Sequence, residues 1–492
     1  MTSSLKKIVK HWDTIAVLLF CIIYTIIFSK FSILRHEAFF SNYDLCNMSQ
    51  TIWNTLHGHL FSLSDNGQTV SRFSIHFDPI LILISPLYLI WNNVKILLIF
   101  QSLALGTGGL AVFLISKKII GKNKNIKPLY LKIFSITAVT AYLLNPYMQW
   151  SNIYDFHAVV LFVPLFLFAF YFLLSKKWFR FWILISLCLI TKEEIGFIIA
   201  ILGIYIFLFF RKKLGLLTLF TGIFVSLFAI FWVIPHFSPM GAHWAVNGLY
   251  APAKQKLGEA KNIPMLIDLF KGYFLSPKAT NYYTGLLKPF SFLPVLGLPF
   301  LIFTVPELAV NLLSTDSQMQ NLNLHYTSGI TPFIVLATIF GVCYLISFIC
   351  RFKQFRKTCN FVLLFISFVM VFSAIRSNYH NSPLPTTPTC WCEVYQVNSE
   401  DVQIEKVLMN IPKNASVTSS GEIRPHISLR ANSFTLPGGL SADYVALFTN
   451  NRILYDRSPK GFENSLLQDK KFLGSHALLN RIGDFYLFRK IQ

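Results

Sequence analysis

Between Ile15 and Ile375 the chain alternates apolar runs with short polar gaps, and the lengths of those runs set the fold class. A helix needs about 20 apolar residues to cross a bilayer. Ile15–Leu34, Val94–Ser116, Leu214–Ile234 and Ile330–Cys350 meet that length, and Phe134–Trp150, Val159–Leu174 and Phe361–Ile375 approach it. Pro79–Trp91 is too short to span and predicts a half-buried or re-entrant segment. Phe181–Ile190 and Ile195–Phe210 predict a tight hairpin around Thr191-Lys192-Glu193-Glu194. Its arms are short, which sets the turn below the membrane surface in a protein-lined cavity. The proline-broken stretch Pro289–Leu313 predicts a hairpin of two short spans or a re-entrant loop. The first run is too long for a signal-peptide core and no small-residue cleavage site follows it, so it is expected to be a retained helix. The expectation is an all-α polytopic membrane bundle of about ten to twelve spans over residues 1–376, with large outer loops at 35–78 and 235–288. Pro383, Pro385 and Pro388 mark a linker at 377–397. Beyond it, residues 398–492 alternate short apolar stretches with turn residues, which predicts a small α/β domain.

Composition agrees with a membrane class. Apolar residues make up 54% of the 492 and charged residues only 13%, against about 25% charged in a soluble domain. The formal charge of +21 suggests nucleic acid until its distribution is read. Lys6, Lys7 and Lys10 form one basic gap, and the gap from Lys117 to Lys132 a second. Lys176, Lys177 and Arg180, then Arg211, Lys212 and Lys213, then Arg351, Lys353, Arg356 and Lys357 complete the set, and none of the five contains an acid. That is the positive-inside pattern. It predicts a multi-pass cell-membrane protein with a cytoplasmic N-terminus, an extracytoplasmic C-terminal domain, membrane lipid as its surroundings and no nucleic-acid partner. Of the 22 acids only Asp13 falls on the cytoplasmic side, so chemistry is expected on the outer face. Cys21, Cys188, Cys343, Cys350 and Cys359 read as packing residues. Cys46, Cys390 and Cys392 fall outside, where a disulfide is possible.

Ionisable residues at membrane depth are costly and point to function. Four groups stand out. In the first loop, Arg35 and Glu37 precede Asp44, Gln50, Trp53 and Asn54, on a stretch with helical spacing; Asp44 is either its N-cap or a chemical group. In the second, Arg72, His76 and Asp78 precede Pro79; Asp78 reads best as a cap, and His76 as a substrate contact or a loop-satisfying side chain. A divalent metal held by His57, His59, His76 and Asp78 is an alternative on an undistinctive spacing. The third group is Asp155 and His157 with Lys192, Glu193 and Glu194; Lys192 and Glu193 either neutralise each other or leave Lys192 as a point charge for phosphate. The fourth is Glu307, Asn311 and His325-Tyr326.

Taken together these residues resemble the predicted prokaryotic membrane protein family DUF2079. The resemblance rests on Arg35…Asp44-Leu45…Gln50…Trp53-Asn54…Gly58, on Arg72-Phe73…His76-Phe77-Asp78-Pro79, and on Gln101. It continues through Asp155-Phe156-His157, Lys192-Glu193, Pro306…Asn311, His325-Tyr326 and Ser428-Leu429-Arg430. Where the family typically has Gly after Asp-Leu, this chain has Cys46. The family layout is similar to the GT-C glycosyltransferase superfamily, whose members take a sugar from a polyprenyl-phosphate carrier at the outer leaflet. The resemblance therefore implies Asp44 as catalytic base, Arg35, Arg72 and Lys192 as phosphate contacts, and Trp53, Tyr154 and Tyr326 as sugar-stacking aromatics. Two other readings stay open, a transporter or flippase and a non-enzymatic envelope scaffold. The chain has no inverted repeat, and its ionisable residues gather on one side, which disfavours transport.

Overall fold

The computed structural model describes residues 11–65, 67–450, 452 and 459–491. Lys6, Lys7 and Lys10, part of the orientation pattern, lie outside the described residues. The chain opens on α1 (Trp12–Glu37), followed by α2 (Tyr43–Leu56) and the hairpin β1 (Ser62–Asp65) and β2 (Gln68–Ser71). Two short helices, Ile80–Ile84 and Leu87–Ile90, occupy the stretch that was too short to span. Then come α3 (Lys95–Ile120), α4 (Pro128–Leu143), α5 (Pro146–Tyr154), α6 (Phe162–Leu174), α7 (Trp178–Leu189), α8 (Ile195–Phe209) and α9 (Lys212–Phe228). The last is prolonged to Phe237 through a π-helical turn at Ala229–Val233. Next are α10 (Ala251–Glu259), α11 (Ile263–Phe274), α12 (Pro277–Leu287), α13 (Val305–Leu313), α14 (Thr331–Ile349) and α15 (Thr358–Asn381). Among the described residues six helical stretches are long and apolar enough to cross a membrane, and further apolar helices are shorter.

The basic gap from Lys117 to Lys132 meets the starts of α1 and α15 at one end of the bundle. Asp13 at the start of α1 pairs with Lys117 at 2.9 Å and Lys132 at 3.3 Å, and the Lys127 amide donates to Asn360 at the start of α15. The opposite end carries the polar loops.

Two helical hairpins organise that opposite end. In the first, α7 and α8 flank the turn at Thr191–Glu194 as the apolar pattern predicts, and α8 lies along α9 at backbone contact. A Cβ on Gly196 would stand 2.3 Å from the Gly222 carbonyl oxygen, and one on Gly203 2.3 Å from the Leu219 nitrogen. Only glycine permits such an approach. In the second, α12 descends, turns at Ser291 and Phe292, both with φ of 56°, and the chain climbs back to Leu313. Tyr282 of α12 accepts from Asn311 of α13 at 3.0 Å, and Phe303 stacks on Phe333. The descending arm starts at Pro277, inside the stretch expected to be outer loop, because its sequence is polar apart from the buried Ala279, Tyr282 and Leu286.

The stretch expected to be a linker is packed on the bundle. Trp391 stacks near Trp150 and over Arg35, and Tyr395 donates to the Pro383 carbonyl. Cys390 and Cys392 form a disulfide; Cys350 and Cys359, read as packing residues, are bonded as well. The C-terminal unit has α16 (Ser399–Met409), opened by an Asn398–Asp401 capping box, and a five-stranded mixed sheet. The strands are β3 (Val417–Ser419), β4 (Ser433–Thr435), β5 (Tyr444–Phe448), β6 (His476–Ile482) and β7 (Phe485–Lys490), in the order β4-β3-β5-β7-β6. Its core includes Phe39 from the loop after α1, so the two units share apolar packing.

Candidate functional site

A cavity of about 370 Å³ opens at the polar-loop end of the bundle. Separate segments build it: α2, the loop after β2, the stretch after α5 at 157–159, the α7–α8 turn, and the stretches around 243–250 and 310–326.

On one wall, α2 begins at Asn42, whose side chain accepts the Asp44 amide at 3.2 Å. Asn42 is therefore the cap that sequence alone allowed Asp44 to be, and the Asp44 carboxylate faces the cavity with its side chain 37% exposed. Its Oδ2 lies 3.3 Å from His157 Nε2. His157 Nδ1 contacts the Asp155 carbonyl at 3.2 Å. A carbonyl can only accept, so Nδ1 carries a hydrogen. Burial pushes the Asp44 carboxyl up, but the hydrogen bond and charge of His157, with Arg72 and His76 behind, outweigh it and hold the group below the usual carboxylate value. The His157 ring stacks on His325 at 3.7 Å between centroids, and His325 on Tyr326 at 4.2 Å.

A second constellation lines the same cavity. Glu193 receives His76 Nδ1 at 2.8 Å, the Phe77 amide at 3.0 Å and, at 3.7 Å, His243 Nε2. The Ala245 amide donates to His243 Nδ1 at 3.2 Å, so the ring hydrogen sits on Nε2 and points at the carboxylate. Glu193 is thus hydrogen-bonded to His76 and the Phe77 amide with His243 nearby, and in that tautomer His243 Nε2 has no lone pair to offer a metal. Beside it Lys192 pairs with Glu194 at 2.5 Å, so of the two alternatives read from the sequence, its direct neutralisation by Glu193 does not occur. The turn places successive carboxylates on different sides, so one meets the lysine and the other the histidines. Arg72 grips Asp78 with Nε at 3.1 Å and Nη2 at 2.6 Å. Asp78 is thus an ion-pair partner and does not cap the next helix, where no side-chain cap occurs. Arg72 and Lys192 both keep hydrogens beyond these pairs, since a guanidinium has five and an ammonium three.

Asp44, Arg72, His76, Asp78, His157, Lys192, Glu193, His325 and Tyr326 all line the cavity. Arg35, Trp53, Asn54 and Asp155 do not. Arg35 is buried in a 2.7 Å ion pair with Asp155, and also donates to the Tyr154 carbonyl. Asp155 in turn accepts the Asn42 amide at 3.1 Å, which ties α1, α2 and α5 together behind the site. Trp53 stacks on His57, and Asn54 donates to the Ser62 carbonyl. These four frame the site without touching its space. Among the described residues no group of three or more His, Cys, Asp or Glu side chains is arranged to hold a metal; of the set considered from sequence, Asp78 is engaged by Arg72 and His57 stacks outside.

Tyr43, Asn47, His243, Tyr250 and Asp316 also line the cavity, and the sequence reading passed over them. For His243 and Tyr250 a signal was present, an aromatic-rich stretch following a long apolar helix.

The fold and site define a polytopic helical membrane protein with a polar, ionisable cavity at one end of its bundle. The chain belongs to the predicted membrane protein family DUF2079, whose match runs over residues 35–477. No curated protein matches it.

Proposed function

We propose that the protein is a membrane glycosyltransferase that moves a sugar from a polyprenyl-phosphate carrier to an acceptor hydroxyl, with the cavity and C-terminal unit on the extracytoplasmic face. The observation that carries this reading is a carboxylate paired with an imidazole in a cavity that two cations with hydrogens to spare also line. Asp44, held ionised, takes the proton from the acceptor hydroxyl as its oxygen attacks the anomeric carbon. The bond from that carbon to the carrier phosphate oxygen breaks, and the charge left on the phosphate is met by Arg72 and Lys192. Each cation is oriented beforehand by its own carboxylate, Asp78 or Glu194. Tyr326, packed on His325, adds an aromatic ring to the wall that a sugar would meet.

Dimensions agree with this assignment. A cavity of about 370 Å³ takes a sugar and its phosphate but not an isoprenoid tail. Phe197, Ile230 and Val310 on α8, the π-helical turn and α13 make its wall apolar on the bundle side, where a tail would leave between helices. The positive-inside pattern supports the orientation. The test is sugar transfer by purified protein from a polyprenyl-phosphate donor. Wild-type turnover with loss in Asp44→Asn is expected; no transfer from any such donor, in protein that binds none, refutes the reading.

A further inference from the structure

One basic stretch stands apart from the five basic gaps. Between Ala251 and Lys278 there are five lysines, Lys254, Lys256, Lys261, Lys271 and Lys278, against two acids, Glu259 and Asp268. It belongs to the cavity end of the bundle. Leu249 and Tyr250, immediately before it, line the cavity; the Leu249 carbonyl accepts the Thr315 amide at 3.0 Å, and the Phe274 carbonyl accepts Tyr283 at 3.1 Å. A lysine-rich segment at that end runs against the charge pattern of the rest of the chain.

The two helices it forms bury nothing in the protein; neither α10 nor α11 has a buried residue. Yet α11 is strongly amphipathic. Ile263, Leu266, Ile267, Phe270 and Phe274 follow i, i+3, i+4, i+7 and i+11 spacing, which sets them on one face. Ile263 is 73% and Phe270 55% exposed. Asp268 and Gly272 fall on the opposite face, and Lys271 at the border. An apolar face bordered by lysines, on a helix anchored beside membrane-long helices, has the composition of an interfacial helix. Trp232 and Trp244, both exposed where α9 ends and the stretch begins, are the aromatic residues expected at headgroup level.

We propose that α10 and α11 lie in the headgroup layer at the cavity end and bind anionic lipid, with the apolar face of α11 in the acyl region and the lysines on lipid phosphates. The occupant is the lipid surface itself. Because Leu249 and Tyr250 join this pair to the cavity wall, a phosphate-bearing lipid that reaches the site from the membrane meets these lysines first. The inference does not depend on glycosyl transfer, and its test involves no turnover.

Full-length protein is placed in nanodiscs of phosphatidylcholine alone or mixed with phosphatidylglycerol, and amide hydrogen exchange is followed across 263–274. Exchange is expected to slow at least about fivefold in the anionic discs, since clustered lysines gain from an anionic surface. The fourfold variant Lys254→Gln, Lys256→Gln, Lys261→Gln, Lys271→Gln should lose that difference while its exchange in neutral discs stays unchanged. A photo-crosslinking p-benzoylphenylalanine at position 270 should capture lipid, and one at position 272 should not. Equal wild-type exchange in the two discs, or capture of protein instead of lipid at position 270, overturns the proposal.

Discussion

Burial works against the ionised form of Asp44, and His157, with Arg72 and His76 behind it, outweighs that. His157 sets the carboxyl below its ordinary value, so the group is ionised at neutral and mildly acid pH. Any stability it supplies is present above the ordinary carboxylate value and lost as pH falls through the lowered one. For the proposed reaction, kcat/KM should show no acid limb from Asp44 above about pH 4. Replacing the partner, His157→Gln, should move that limb upward into the measured range; a profile unchanged by the substitution would remove Asp44 as the base. Asp44→Asn should lower turnover at least about a hundredfold with an unchanged melting temperature, because Asn42 supplies the helix cap. Lys192 tests differently. Lys192→Met strands Glu194, so loss of donor binding counts for a phosphate role only if Lys192→Met with Glu194→Gln, which restores charge balance, still binds donor weakly. Recovered binding in that double variant would make the pair structural.

At the scale of elements, the α7–α8 turn is held in place by α9. The Ser226 hydroxyl donates to the Glu193 carbonyl at 2.5 Å, and Gly222 lies so close to α8 that a Cβ there would stand 2.4 Å from the Gly196 carbonyl oxygen. Gly222→Leu should force the helices apart at a cost of about 1–3 kcal/mol or more, lower the melting temperature in detergent, and shift Glu193 away from His76. Leu217→Ala, an exposed position of the same helix, should leave the melting temperature nearly unchanged; equal effects of the two would show that the close approach is not what matters. This hairpin was legible in the sequence because its arms are apolar and its turn carries three charges. The α12 arm was not, since Asn281, Tyr282 and Tyr283 break its apolar pattern while Tyr282 buries itself through a hydrogen bond. The pairings within the site were equally hidden. Asp44, His157 and His325 come from three distant segments, and no local spacing encodes that they meet. What the sequence did carry was the list of costly ionisable groups, most of which face one cavity; it had no means to separate these from Arg35 and Asp155, whose mutual pairing takes them out of reach.

For the molecule as a whole, the positive-inside pattern gives an orientation that can be tested. With single cysteines in a background lacking the native ones, an impermeant thiol reagent applied to intact cells should label position 247 and positions beyond 381, and leave positions 124 and 353 unlabelled. Labelling at 124 would invert the protein and the proposed site with it. The C-terminal unit reaches the cavity through α2. Arg424, fully buried, donates to Asn47 at 3.2 Å, Gln50 at 2.9 Å and the Ser64 carbonyl at 2.7 Å, and Ser428 meets Ser49 at 2.6 Å. Phe39 stacks on His426. This joint gives the assembly of the protein an order in time. The loop that carries Asp44 is synthesised before α3 to α15, and the Arg424–Ser428 segment that fixes it after them. Until then α2 lacks the guanidinium that holds it, so a chain halted after the membrane helices is inserted but has an unfinished cavity. The wall that carries Asp44 would then reach its final setting late in synthesis, with the docking of the C-terminal unit against α2.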